Sequence, residues 1–316
     1  MNPFSNNPND RNEVPAWADF FTAEEFQAFD KAVVQYFKSL GKPFKVEDGI
    51  VRTTWMSDDS EMQNLGLMNV AQMCKQAKIE EYAGVIRNHF DVMRKSKDFI
   101  AGFFENINDF EFVKPFIGTR LYHKDHIKSI GPEGVIAKSI TEEIIAMLVF
   151  DMPQAISSIK PEQSRIWEKS AEELLELGLG NIRESYDFSA TDLDANVKLK
   201  AVIQNHFFGS NVILNLDRVP GLVGTHGSLV AVPHRHSTLI HPIEDSSVLK
   251  AINMLIPMAY GMHHEGPGSI SSQLYWYRQG KFMNLPYKIA DNSINFQPPS
   301  DFVAMLEYLA FEESDQ

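Results

Sequence analysis

Residues 228–243, SLVAVPHRHSTLIHPI, place two short apolar, β-prone runs on either side of four polar residues. Runs that lie so close together satisfy their backbone groups most directly by pairing with each other. The segment is therefore predicted to form an antiparallel hairpin with HRHS at its turn. A second hairpin is expected in SSQLYWYRQGKFMNLPY, turning at Gln279 and Gly280, and another in FKVEDGIVRTTW, where Asp48-Gly49 suits the positive φ of a tight turn. TRLYH and EEIIAMLVFDM also read as strands, separated by a loop punctuated with Gly and Pro.

Helical patterns are interspersed without a regular βαβ alternation. Thr22 and Glu25 have the spacing of a capping box, Phe21 and Phe26 that of a hydrophobic staple, and Phe26, Phe29, Val33, Phe37 and Leu40 share one face. Leu67, Val70, Ala71 and Cys74 mark a second helix, and Tyr82, Val85, Ile86, His89, Phe90 and Met93 a third. Ser164 to Leu177 is read as one helix, and Ser210 as the cap of a short one through Val212, Ile213, Leu216 and Val219. Ser247 to Tyr260 and a segment opening at Ser300 complete the set. The fold class expected is α+β, with mainly antiparallel hairpins. Residues 1–16, rich in Asn and Pro, read as a flexible tail, residues 17–105 as a helix-rich region with one hairpin, and residues 106–316 as an α+β region with a C-terminal helical extension. The Phe-rich stretch around residues 100–115 is expected to link the two.

The 316 residues carry a formal charge of −13 and no basic run, a balance that argues against nucleic acid, whose phosphates need a local excess of Lys and Arg. The single cysteine, Cys74, excludes an internal disulfide and a thiol cluster for zinc, and its place on an apolar stripe favours an inert core thiol. No stretch approaches the roughly 20 apolar residues of a membrane helix, and the N-terminus lacks the pattern of a secretory signal. The expectation is a cytoplasmic protein that binds neither membrane nor nucleic acid.

Six of the ten histidines, His226, His234, His236, His241, His263 and His264, fall within residues 226–264. Imidazole is a common ligand of transition metals, so a site built from His234, His236 and either His241 or the His263/His264 pair, with Glu265 as general base, is one reading. It requires the EGPGS loop after residue 264 to fold toward the turn. The other reading is a polar turn, since on a continuous strand His234 and His236 face one way and His241 the other. No HExxH pattern supports the metal. HKDH supplies two ligand types but follows a strand-like TRLY into a turn. DFSATDLDAN has the acid spacing of a calcium loop in places but lacks its central Gly and closing Glu; GTHGS is not a nucleophile elbow, and LGLGN is too thin for a dinucleotide loop. Tyr275, Trp276 and Tyr277 are interface candidates, because Tyr, Trp and Arg are enriched where proteins meet. The competing reading is ordinary sheet packing, with Tyr275 and Tyr277 on one face and Trp276 on the other.

The order EEIIAMLVFDMP, AEELLELGLGNIRE, SNVILNLDRV, GSLVAVPHRHSTLIHPIED, SSVLKAINMLIPMAYG and SSQLYWYRQGKF resembles the YtpQ-like family of bacterial proteins, from about TRLYH to GKFMNLP. The resemblance implies an α+β cytoplasmic protein with no assigned activity. It matches His234 to a position where the family has a polar residue or His, and places none of His236, His241, His263 or His264. The resulting expectation is a non-enzymatic binding or adaptor protein for a protein or peptide partner, without a cofactor. The alternative is a metal-dependent hydrolase using the His234/His236 turn.

Overall fold

The computed structural model describes residues 14–54, 63–153, 155–290 and 293–314. Most of the expected tail, residues 1–13, lies outside the described residues. The chain divides into two compact units, Met1–Gly102 with Pro153–Ala155, and Phe103–Met152 with Ile156–Gln316.

The first unit contains α1 (Ala23–Ser39), the sheet β1 (Phe44–Glu47), β2 (Ile50–Thr53) and β3 (Gln63–Gly66), then α2 (Met68–Lys75) and α3 (Tyr82–Lys95). The capping box forms: Thr22 Oγ1 accepts from the Glu25 amide at 3.3 Å, and the Glu25 carboxylate accepts from the Thr22 amide at 2.7 Å. Asp48 and Gly49 turn the β1–β2 hairpin with φ of 47° and 71°. Apolar faces at the expected spacing bury Phe29, Phe37, Cys74, Ile86 and Phe90 in one core.

The Phe-rich stretch is helical rather than a plain linker. It forms α4 (Lys97–Glu105) and the short α5 (Phe110–Val113), which the Asp109 carboxylate caps. Phe103 is buried against Phe112, Phe116 and Phe150. The second unit continues with β4 (Ile117–His123), α6 (His126–Ile130), β5 (Ala137–Ser139), β6 (Ile144–Met152) and β7 (Ala155–Ser158). These strands make one sheet, in which β6 pairs with β4, β5 and β7.

The single helix expected from Ser164 to Leu177 is two, α7 (Pro161–Ile166) and α8 (Ala171–Ser185). Glu168 at φ 54° breaks the chain direction, and Ser170 with Glu173 forms a second capping box that restarts it. Next come β8 (Thr191–Asp194), β9 (Leu199–Ile203) and a 3-10 helix, Gly209–Arg218. Ser210 lies inside that helix and does not cap it. Its amide donates to the Arg235 carbonyl at 3.1 Å, so the backbone of a neighbouring turn does the work of a cap.

The largest sheet has the order β13-β12-β10-β11-β9-β8, with β10 (Ser228–His234), β11 (Ser237–Pro242), β12 (Leu274–Arg278) and β13 (Lys281–Leu285). All neighbours in it are antiparallel. One face packs Leu229, Ala231, Leu239 and Trp276 against α9 (Ser247–Glu265) and α10 (Ser300–Ser314); β14 (Tyr287–Ala290) and β15 (Ser293–Phe296) form a separate pair. The other face packs Val230, Val232, Ile240, Tyr275 and Tyr277 against the 3-10 helix and against Leu121, Ile144 and Ala146 of the smaller sheet. Burial on both faces explains why β10 and β11 read as unbroken apolar runs instead of alternating ones. The class is α+β. Among the described residues no helix is long and apolar enough to cross a membrane.

Candidate functional site

The β10–β11 hairpin turns more tightly than HRHS suggested. His234 pairs with Ser237, leaving Arg235 and His236 as the turn, and the register shifts between Ala231 and His234. Pro233 sits in that irregularity; it has no amide to donate, so the ladder slips there. The turn is not an exposed polar tip either. His234 and Arg235 are buried and His236 is half-buried.

The segment after α9 covers this turn. The Arg235 amide donates to Gly268 O at 3.0 Å, Ile270 N to Pro233 O at 2.9 Å, and His234 bridges to Ser269. The EGPGS loop therefore does meet the 234–236 turn. What it brings is backbone and glycine: His264 and Glu265 are exposed, and both they and His263 lie within α9, which runs five residues past its expected end.

Each imidazole at the turn has a fixed tautomer. The His236 Nδ1 faces Gln204 O at 3.2 Å and must donate, which leaves its Nε2 lone pair to accept from Arg235 Nε at 3.0 Å. His234 Nδ1 accepts from the His236 amide at 3.3 Å, so its Nε2 donates to Ser237 Oγ at 3.2 Å. Both lone pairs a metal would use are thus engaged. Burial, helped by the Arg235 charge, pulls both rings from 6.5 down to about 4. His241 lies further along β11, wholly buried, with Nδ1 donating to Val197 O at 2.7 Å. Among the described residues no three His, Cys, Asp or Glu side chains gather as a metal-holding group.

Between the histidines stands a residue that sequence reasoning passed over. Arg235 shares the Phe207 ring with a second buried arginine, Arg120 of β4, whose charge opposes that of Arg235. Each residue is only 8% exposed. Aromatic rings carry them: Arg120 Cζ lies 4.9 Å from the Tyr122 ring centre and 5.5 Å from that of Phe207, and Arg235 Cζ lies 4.7 Å from Phe207. His126 stacks on the other contact of this series, Tyr122, at 4.4 Å. Phe207, which touches both cations, is itself 39% exposed.

Among the described residues, neither guanidinium forms an ion pair with a carboxylate. Arg120 Nε is a buried donor without an acceptor. Asp151 attracts Arg120 from outside ion-pair range, but its oxygen is held by the Tyr186 hydroxyl at 2.6 Å, and burial raises its own pKa. Burial works against both arginine charges and pulls Arg235 down to about 9, still above neutral pH. The arrangement is a preorganised pair of cations with donors to spare.

The interface candidates Tyr275, Trp276 and Tyr277 offer no free surface. They are 0%, 3% and 5% exposed, because β12 lies between two strands and is covered on both faces. Tyr275 and Tyr277 do face one way and Trp276 the other. Each polar tip is satisfied inside: Trp276 Nε1 by His226 O at 2.8 Å, the Tyr275 hydroxyl by Ser271 Oγ at 3.0 Å, and the Tyr277 hydroxyl by Asp217. The one trace of this cluster in the sequence is an arginine inside the strand-like run TRLYH, and it does not reveal a partner. Comparison with known proteins adds no relative: no family model, curated protein or solved structure matches the chain.

Proposed function

We propose that this is a non-enzymatic binding protein that captures an anionic group of its ligand between Arg120 and Arg235. The observation that supports it is the pair of buried guanidinium groups with no carboxylate partner among the described residues. An unpaired buried charge costs several kcal/mol after relaxation, whereas cation–π contacts return about 0.5–2 kcal/mol each. The rings offset part of the cost, and an anion would offset the rest. A chain of net charge −13 has no diffuse positive field to gather anions, so capture would be local to this site. Placement in the YtpQ-like family and in the reducing cytoplasm belongs to the same reading; neither brings an activity to weigh against binding.

The test is thermal melting in a buffer of low ionic strength, with acetate, sulfate or phosphate titrated in. At least one anion is expected to raise the melting temperature of the wild type saturably, and none that of Arg120→Met/Arg235→Met. A wild type indifferent to all three overturns the reading.

A further inference from the structure

Charge stoichiometry narrows what such a site accepts. Guanidinium groups stay protonated in proteins, so Arg120 and Arg235 bring two positive charges. His234 and His236 bring none, since each uses one ring nitrogen as donor and the other as acceptor. The carboxylate whose field reaches Arg120 is Asp151, already committed to Tyr186, and the groups acting on Arg235 are Arg120 and Tyr122. Among the described residues, two buried cations are therefore left without a balancing carboxylate.

Resting on the anion-binding reading above, we propose that the captured group is a phosphate monoester dianion, held jointly by Arg120 of β4 and Arg235 of the β10–β11 turn. A phosphate monoester carries about −1.5 to −2 at neutral pH, close to the charge of the pair, whereas a carboxylate leaves one cation uncompensated. Shape points the same way. A planar carboxylate presents one bidentate edge, which a single guanidinium fills. A tetrahedral phosphate presents several oxygen pairs, and the two arginines approach from two different sheets. His236 acts as a positioning residue. Its Nε2 holds Arg235 Nε, which leaves the far end of that guanidinium for the ligand. Phe207, half in solvent and in contact with both cations, marks the entrance.

The experiment is calorimetric titration of the full chain at pH 7.5 with methyl phosphate, dimethyl phosphate and acetate. Methyl phosphate and dimethyl phosphate share a shape but differ in charge, so they separate charge from geometry. The proposal expects methyl phosphate to bind at least tenfold more tightly than either monoanion. It also expects that advantage to shrink as the pH falls below about 6, where the monoester takes up its second proton. Arg235→Met should bind methyl and dimethyl phosphate alike. Acetate or dimethyl phosphate binding as tightly as methyl phosphate to the wild type would overturn the dianion while leaving an anion site standing. No saturable binding of any of the three would overturn both. A short peptide bearing phosphoserine, run beside methyl phosphate, identifies the source of the group. Tighter binding by the peptide points to a phosphorylated chain, and weaker binding to a small phosphorylated molecule. The comparison among ligands needs only the wild-type protein, so it stands even if the variant folds poorly.

Discussion

Acid should unfold the second unit through the hairpin histidines. His234 and His236 titrate at about 4 in the folded protein against 6.5 for an unperturbed ring. The unfolded chain therefore binds protons more readily, and the stability present above pH 6.5 is lost as the pH falls through the window from 6.5 to 4. A tenfold difference in proton affinity is about 1.4 kcal/mol. At pH 5 each ring then costs roughly 2 kcal/mol relative to pH 8. The two rings repel each other and share the Arg235 field, so the pair is worth about 2–4 kcal/mol. His126, His206, His241 and His263 are also shifted downward by burial and add to the same trend. The assay is urea unfolding at pH 8 and pH 5, following the fluorescence of the four tryptophans, of which Trp167 and Trp276 belong to the second unit, in wild type and in His234→Gln/His236→Gln. The double variant should be weaker at pH 8, where it loses fitted hydrogen bonds, yet lose about 2–4 kcal/mol less than the wild type on going to pH 5. An equal loss in both proteins would refute the argument, because the acid sensitivity would then lie elsewhere.

Two glycines of α8 should respond to the same substitution with opposite signs. In Gly178→Ala the added Cβ would lie 2.8 Å from Gly118 C and from Thr119 Oγ1. Contacts this short with backbone atoms call for the upper part of an overpacking cost of about 1–3 kcal/mol, which outweighs a helix-propensity gain of about 1 kcal/mol, so melting should fall by a few degrees. In Gly180→Ala the nearest atom is the end of the Arg183 side chain at 4.0 Å, so melting should rise; a shared sign would contradict the α8–β4 packing. Cys74, fully buried with its thiol pushed up to about 12, should resist a water-soluble thiol reagent until the protein unfolds.

Local chemistry was legible wherever the partners lie a few residues apart. Thr22 with Glu25, Asp48 with Gly49, and Gln279 with Gly280 all specify their own turns or caps. The break at Glu168 falls where the apolar spacing of Ser164 to Leu177 is imperfect, and Ser170 with Glu173 carries the same signature as Thr22 with Glu25. The hairpin itself was legible, but its turn was not. Four polar residues looked like an exposed loop, and only the pairing of the loop after α9 along β10 shows why they are buried. The arginine pair was beyond reach from sequence. Its members belong to two different sheets, and nothing in either local pattern requires the other. Histidine density drew attention to the right segment for the wrong atom.

The loop that covers the turn restricts how this site can change over time. A Cβ at Gly266 would fall 2.1 Å from the His234 ring, and one at Gly268, where φ is +71°, would fall 2.6 Å from Arg235 Cδ. These two positions act as a mould cast around the hairpin tip. The backbone requires both glycines as well: a Cβ at Gly266 would also meet Met262 O at 2.5 Å, and the positive φ at Gly268 strains any L side chain. Diverging copies of this gene should therefore exchange His234 or Arg235 for smaller residues before they lose either glycine, and a retained glycine does not by itself mark an intact cationic site.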